Sequence, residues 1–129
     1  LAGVVVECRP WANVVDRYDD ATTLVYLDPP YLHDVRTARS TDGYRHEMDE
    51  QDHRTLAAWA TTCASMVVLS HYDHPLYREL YDGWRRVERG VRVDSGAERV
   101  EVLWLNEAAQ AAQRQRSLFA DVALPEVAA

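Results

Sequence analysis

A carboxylate, two consecutive prolines and an aromatic ring stand together at Asp28-Pro29-Pro30-Tyr31. The prolines fix φ and remove two backbone donors, so they end any strand or helix that reaches them. What remains is one side-chain acceptor, unpaired carbonyls and a flat ring. Such a group can hold a hydrogen-bond donor and stack a planar ligand. The apolar run from Thr23 to Leu27 before it is β-branched and aromatic, the pattern of a buried strand. The four residues therefore fall at the carboxyl end of a strand, where open α/β sheets bind their ligands. Asp-Pro also opens ordinary turns, and this reading stays open on the four residues alone.

The elements that must position this turn can be read in order. Gly3 to Cys8 (GVVVEC) predicts a first strand, and Trp11, Val14, Val15 and Tyr18 mark one face of a helix over 11–20. The Thr23–Leu27 strand follows. Residues 32 to 48 show no clean period, which is long for a connection in a small domain. Asp49 is a helix N-cap with Glu50 and Asp52 in the first turn. Leu56, Ala57, Trp59, Ala60 and Cys63 give that helix its apolar face. A third strand, Met66 to Leu69, ends in Ser70-His71-Tyr72. Pro75 suits the first turn of a short helix over His74 to Tyr81. Trp84–Val93 and Glu98–Leu105 predict an antiparallel hairpin about Asp94-Ser95-Gly96-Ala97. The fold class is α/β, with parallel strands and a C-terminal antiparallel hairpin. Residues 1–107 form the expected domain and 108–129 a polar helical or disordered tail.

Bulk properties narrow the class further. The chain has 129 residues, 47% apolar and 27% charged, which fits one globular domain. It has no apolar run long enough for a membrane helix. Its start lacks a basic signal region and an initiator Met, which predicts a cytoplasmic chain from within a larger gene product. Net charge is −7, against a bulk nucleic-acid binder yet compatible with a local basic patch. Cys8 and Cys63 lack the spacing of a zinc site or disulfide framework, so no metal is expected.

Four blocks in this order carry a resemblance: Tyr26-Leu27-Asp28-Pro29-Pro30-Tyr31, Gly43-Tyr44-Arg45-His46-Glu47-Met48, Val67-Val68-Leu69-Ser70-His71-Tyr72 and Glu101-Val102-Leu103-Trp104-Leu105-Asn106. Over about residues 3 to 107 the chain resembles the C-terminal half of the catalytic domain of Dam-like, phage-type adenine-specific DNA methyltransferases. The resemblance implies a partial Rossmann-like sheet, S-adenosylmethionine as cofactor and double-stranded DNA as partner. It implies transfer of methyl to the exocyclic amine of adenine, in restriction-modification or phage biology. Asp28 and the Pro29 carbonyl would accept hydrogen bonds from that amine, with Pro30 and Tyr31 completing the site and Tyr31 stacking on the extruded base. Glu7, Cys8 and Asp28 fall where the family meets its cofactor. Tyr44, His46, Arg36, Arg39 and Arg45 are candidates for base and phosphate contact.

The family's Gly-rich cofactor loop is not matched by Gly3, Gly43, Gly83, Gly90 or Gly96. This leaves three readings: a truncated adenine enzyme, a cytosine-amine methyltransferase with a similar tetrapeptide, or a non-catalytic binding remnant. Cys8, Cys63, Trp11 and Met48 read as core, and His71 as a residue that narrows the pocket or faces solvent. Gln115, Leu118 and Phe119 lie in a segment resembling the short peptides that dock on bacterial sliding clamps.

Overall fold

The computed structural model describes residues 3–32, 47–92 and 98–120. In chain order the elements are α1 (Trp11–Tyr18), β1 (Leu24–Leu27), α2 (Glu50–Thr62), β2 (Met66–Tyr72), α3 (Pro75–Leu80), β3 (Arg85–Arg92), β4 (Glu98–Leu105) and α4 (Glu107–Ala120). The four strands form one sheet in the order β1-β2-β4-β3. Leu24 to Leu27 pair in parallel with Met66 to Leu69, residue for residue. β4 then runs antiparallel to both β2 and β3. The sheet is thus α/β and mixed, with the expected closing hairpin; its turn residues lie outside the described set.

The expected first strand does not form. Residues 4–8 join no ladder, and Val4, Val5 and Val6 are exposed, Val6 at 87%. Valines favour a strand only when a neighbouring edge accepts their hydrogen bonds and a face covers them. The covering face is absent here, since all three valines face solvent, although the outer edge of β1 is unpaired among the described residues. The free edge of β1 carries the same signature: Leu24 and Tyr26 are each 61% exposed. Parallel strands are ordinarily covered on both faces.

The helices start and stop for local reasons. The Asp49 carboxylate accepts from the Asp52 amide at 2.8 Å, and Asp52 returns the bond to the Asp49 amide at 3.0 Å, a capping box. His74 Nδ1 accepts from the Leu76 amide at 3.2 Å, and Pro75 opens α3. α1 stops at Tyr18 because Asp19 turns away, its carboxylate accepting from the Ser65 hydroxyl and from the Ala64 and Ser65 amides. Those bonds, the hydroxyl first, hold the Asp19 carboxyl below its usual range.

The core lies between the sheet and the helices: Leu56, Ala57 and Ala60 of α2, Val67 and Leu69 of β2, Tyr77 and Tyr81, Val102 and Trp104. Trp11, Met48 and Cys63 pack against it, as their core reading requires. Trp11 meets Trp59 edge to face at 6.4 Å.

One buried amide joins three elements. Asn106 Oδ1 accepts from the Val67 amide (3.0 Å) and the Ala109 amide (2.9 Å), while Nδ2 donates to the Ser65 carbonyl (2.9 Å). Asn106 therefore fixes the start of β2 and caps α4. Removing a buried amide that makes three hydrogen bonds strands its partners. Asn106→Ala should lower unfolding stability by about 2 to 3 kcal/mol, read as a drop in denaturant midpoint with unchanged slope.

Candidate active site at the carboxyl edge of the sheet

Parallel pairing of β1 with β2 sets the site. Leu27 lies opposite Leu69, so the residues that follow each strand emerge at one edge. Asp28 to Tyr31 leave β1 there, beside Ser70, His71 and Tyr72 at the end of β2. The Tyr31 hydroxyl donates to Asp28 Oδ1 at 3.3 Å. Its ring packs on Tyr72 with centroids 4.6 Å apart and lies 6.3 Å from His71. Asp28 itself is exposed, as an acceptor for an incoming ligand must be.

Tyr31 stays protonated. Burial, and more weakly the Asp28 charge, push its phenol up to about 12, against an opposing hydrogen bond with Ser70. The hydroxyl is therefore a donor at neutral pH, and it orients the carboxylate.

Behind this turn lies an aromatic and imidazole cluster. His71 is fully buried. Its ring stacks on Tyr77 at 3.7 Å and 19°, and meets His53 edge to face at 5.6 Å. The solvent-facing alternative for His71 is thus corrected: the inward register of β2 puts it in the interior. Burial, then the nearby His53, press its pKa down to about 2, so the ring is neutral. Among the described residues, neither of its nitrogens has a hydrogen-bond partner.

His53 is also fully buried. Its Nε2 meets the Tyr77 hydroxyl at 3.4 Å. Burial lowers its pKa first; the Pro30 backbone, Asp52 and Asp49 act the other way, and His74 adds to the lowering. Sequence reasoning missed this residue. The signal was there: His53 falls three and four positions before Leu56 and Ala57, on the apolar face of α2.

The remaining expected site residues divide. Glu7 is engaged by its own neighbourhood: Oε1 accepts from the Tyr18 hydroxyl at 2.8 Å, and the carboxylate pairs with Arg9 (3.1 Å) and Arg17 (3.5 Å). Cys8 is exposed, not buried as its apolar character predicts, because the segment that holds it forms no strand to carry it inward. Arg36, Arg39, Tyr44, Arg45 and His46 lie outside the described residues. Gln115 falls in the last turns of α4, while the side chains of Leu118 and Phe119 lie outside the described set.

A groove of about 510 Å³ runs along the free edge of β1, lined by Val5, Val14, Val15, Leu24 and Tyr26 among others. Its walls are mainly apolar, and its one carboxylate, Glu7, is already paired. Among the described residues, no three His, Cys, Asp or Glu side chains converge as metal ligands would. No helix there is long and apolar enough to cross a membrane.

Comparison with known proteins matches residues 2–94 to a family described as D12 class N6 adenine-specific DNA methyltransferase. The Type II methyltransferase M.MjaIII of Methanocaldococcus jannaschii is 27% identical over 88 residues, 65% of this chain. The chain spans 30% of that relative's length.

The neutral His71 makes stability depend on pH. Its folded pKa lies below the unfolded value of about 6.5, so its stabilising effect is full above that value and is lost as pH falls. The loss approaches about 1.4 kcal/mol per pH unit. Thermal unfolding of the wild type at pH 7 and pH 5 should show this slope, and His71→Phe should flatten it.

Proposed function

The chain belongs to the D12 class of N6 adenine-specific DNA methyltransferases, and we propose that it builds the methyl-acceptor half of their active site. The observation that carries this reading is the position of Asp28 to Tyr31. That turn sits at the carboxyl end of β1, its carboxylate oriented by the Tyr31 hydroxyl at 3.3 Å and its ring backed by Tyr72.

The chemistry follows from the acceptor. The lone pair of adenine's exocyclic nitrogen is delocalised into the ring, which makes it a weak nucleophile. Two fixed acceptors on its N–H groups draw the nitrogen toward a pyramidal form and return the lone pair to it. In the proposal Asp28 supplies one acceptor and the Pro29 carbonyl the other, with Pro30 keeping the peptide rigid. This is electrostatic preorganisation, and no covalent intermediate forms on the protein. Tyr31 stacks on the base, which must leave the duplex to arrive there. Asp28 also lies next to where a methyl donor must reach the nitrogen.

Membership of the family implies S-adenosylmethionine as that donor. The described residues do not fit it. The groove beside β1 is apolar, Glu7 is committed to Arg9, Arg17 and Tyr18, and Gly3 approaches nothing that a cradle would hold. We assign its binding to segments beyond the described residues, in this protein or a partner chain. In the same proposal residues 1–107 are the C-terminal half of the catalytic domain and 108–129 its tail. Double-stranded DNA is the substrate, with Arg36, Arg39, Tyr44, Arg45 and His46 as base and phosphate contacts. That substrate implies action in the cytoplasm, in a restriction-modification or phage setting. A second partner, a sliding clamp, rests on Gln115, Leu118 and Phe119; capture on immobilised clamp that Phe119→Ala leaves intact would refute it.

Transfer of labelled methyl from S-adenosylmethionine to unmethylated duplex DNA, measured with the full protein, tests the reading. Label should appear on the exocyclic amine of adenine. Asp28→Ala should reduce the rate by about 10²- to 10³-fold, with DNA affinity much less affected. Label on cytosine would favour the cytosine-amine alternative, and a folded protein that transfers nothing would favour the binding remnant.

A further inference from the structure

We propose that the part of the β3–β4 ribbon that overshoots β2 is a DNA-contacting arm, in which Arg89 grips a backbone phosphate and Gly90 lets the duplex approach closely. The proposal rests on the acceptor-site reading for the place of the target base.

The register of the sheet creates the arm. The last pair of β2 with β4 is Tyr72 with Glu101. β4 and β3 go on pairing through Gly90–Val100, Val91–Arg99 and Arg92–Glu98. β3 is antiparallel to β4, and β4 to β2, so β3 runs parallel to β2. The overshoot therefore points past the carboxyl edge, at which Asp28 to Tyr31 leave β1. Three extra pairs amount to about 10 Å of two-stranded ribbon. The foot of the ribbon is held in place. The Asp73 amide donates to the Val100 carbonyl at 3.0 Å. Arg86 of β3 donates to Asp73 Oδ1 at 2.7 Å, pairs with Glu88 and lies over the Trp104 ring at 5.6 Å.

A duplex that delivers a base to Asp28 must lie over this edge, because the target leaves the stack toward the turn. A ribbon that overshoots the same edge meets that duplex. Its length suits a major groove, which is about 8.5 Å deep and admits two strands. A ribbon in a groove meets a wall on each of its faces. The charge along it fits as well. Arg89, Arg92 and Arg99 stand against Glu98 and Glu101, a local excess of positive charge in a chain whose net charge is −7.

Two residues at the foot of the overshoot give the contact its detail. Arg85 already donates to Gln113 Oε1 at 2.7 Å, and Arg86 is held by Asp73. Arg89 is exposed and makes no hydrogen bond or ion pair among the described residues, although Glu101 stands across from it. Directly paired residues share a face, so Tyr72, Glu101 and Arg89 form one row. Two strand spacings, about 10 Å, separate Arg89 from Tyr72, whose ring packs on Tyr31 at 4.6 Å. About three nucleotides of one strand cover that span. Gly90 takes the other face of the ribbon. It is exposed, its φ is not positive, and beyond its chain neighbours nothing lies within 4 Å of the place of a Cβ. Neither backbone nor packing asks for a glycine there, and glycine weakens a strand interior. A bare strand position of this kind suits the close approach of another backbone.

Binding of the full protein to a fluorescent, unmethylated duplex, followed by anisotropy across a salt series, tests this without turnover. Arg89→Gln should reduce the slope of log affinity against log salt by about 0.9 and weaken binding alike on unrelated sequences. Arg89→Lys should restore the slope, and Arg85→Gln should keep it. Gly90→Ala and Gly90→Val should melt no lower than the wild type, yet bind duplex about tenfold more weakly. A wild-type slope in Arg89→Gln overturns the phosphate contact. Stable Gly90 variants that bind as the wild type does overturn the close approach. A wild type that binds no duplex overturns the arm outright. One that binds with these dependences but transfers no methyl supports the arm and refutes the acceptor-site reading alone.

Discussion

The parallel pairing of β1 with β2 is the constraint from which the rest of this structure follows. It aligns Leu24–Leu27 with Met66–Leu69 without a stagger. One end of the pair is closed by polar clips. Asp19 receives the Ala64 and Ser65 amides, and Asn106 bridges Ser65, Val67 and Ala109. The other end is open, and there Asp28 to Tyr31 meet Ser70 to Tyr72. A parallel pair needs a crossover connection, and α2 supplies part of it. The same helix brings His53 into the cluster of His71 and Tyr77. Register, clips and crossover thus act on one short strand of four residues.

How much of this could be read from residues alone depended on how local each cause is. The Asp49 cap, the Pro75 start of α3, the hairpin strands and the Asp28-Pro29-Pro30-Tyr31 turn have local causes: a side chain, a fixed φ, an alternation. Each was legible. Residues 4–8 have strand propensity but no face to cover them, and propensity cannot supply one. Glu7 was expected at a strand end facing a ligand; instead Tyr18, Arg9 and Arg17 occupy it. His71 was ambiguous because alternation along β2 says which residues share a face but not which face is covered. His53 and Asn106 were passed over for a related reason. A polar residue on an apolar face looks like noise until its partners, far away in the chain, are known.

The site concentrates the exceptions to ordinary packing. Two imidazoles, with three ring nitrogens lacking a partner among the described residues, are buried behind an exposed carboxylate. Buried polar groups in that state cost stability, and a purely structural core would replace them with apolar side chains. Their cost is offset by ring stacking on Tyr77 and Tyr81 and by the dry core of Leu56, Leu69 and Val102 below.

The register of β1 also bears on the order in which the chain can assemble. The β3–β4 hairpin pairs residues close in sequence, such as Arg92 with Glu98, and can close early. Leu24 must instead wait for Met66, across the whole of the 28–49 connection and α2. During synthesis the strand that leads into Asp28 emerges long before the strand that receives it. Until then its apolar residues have no ladder, and closing so long a loop is slow. The strand that leads into the Asp28–Tyr31 turn is therefore the one with the longest exposure to misassociation on the ribosome.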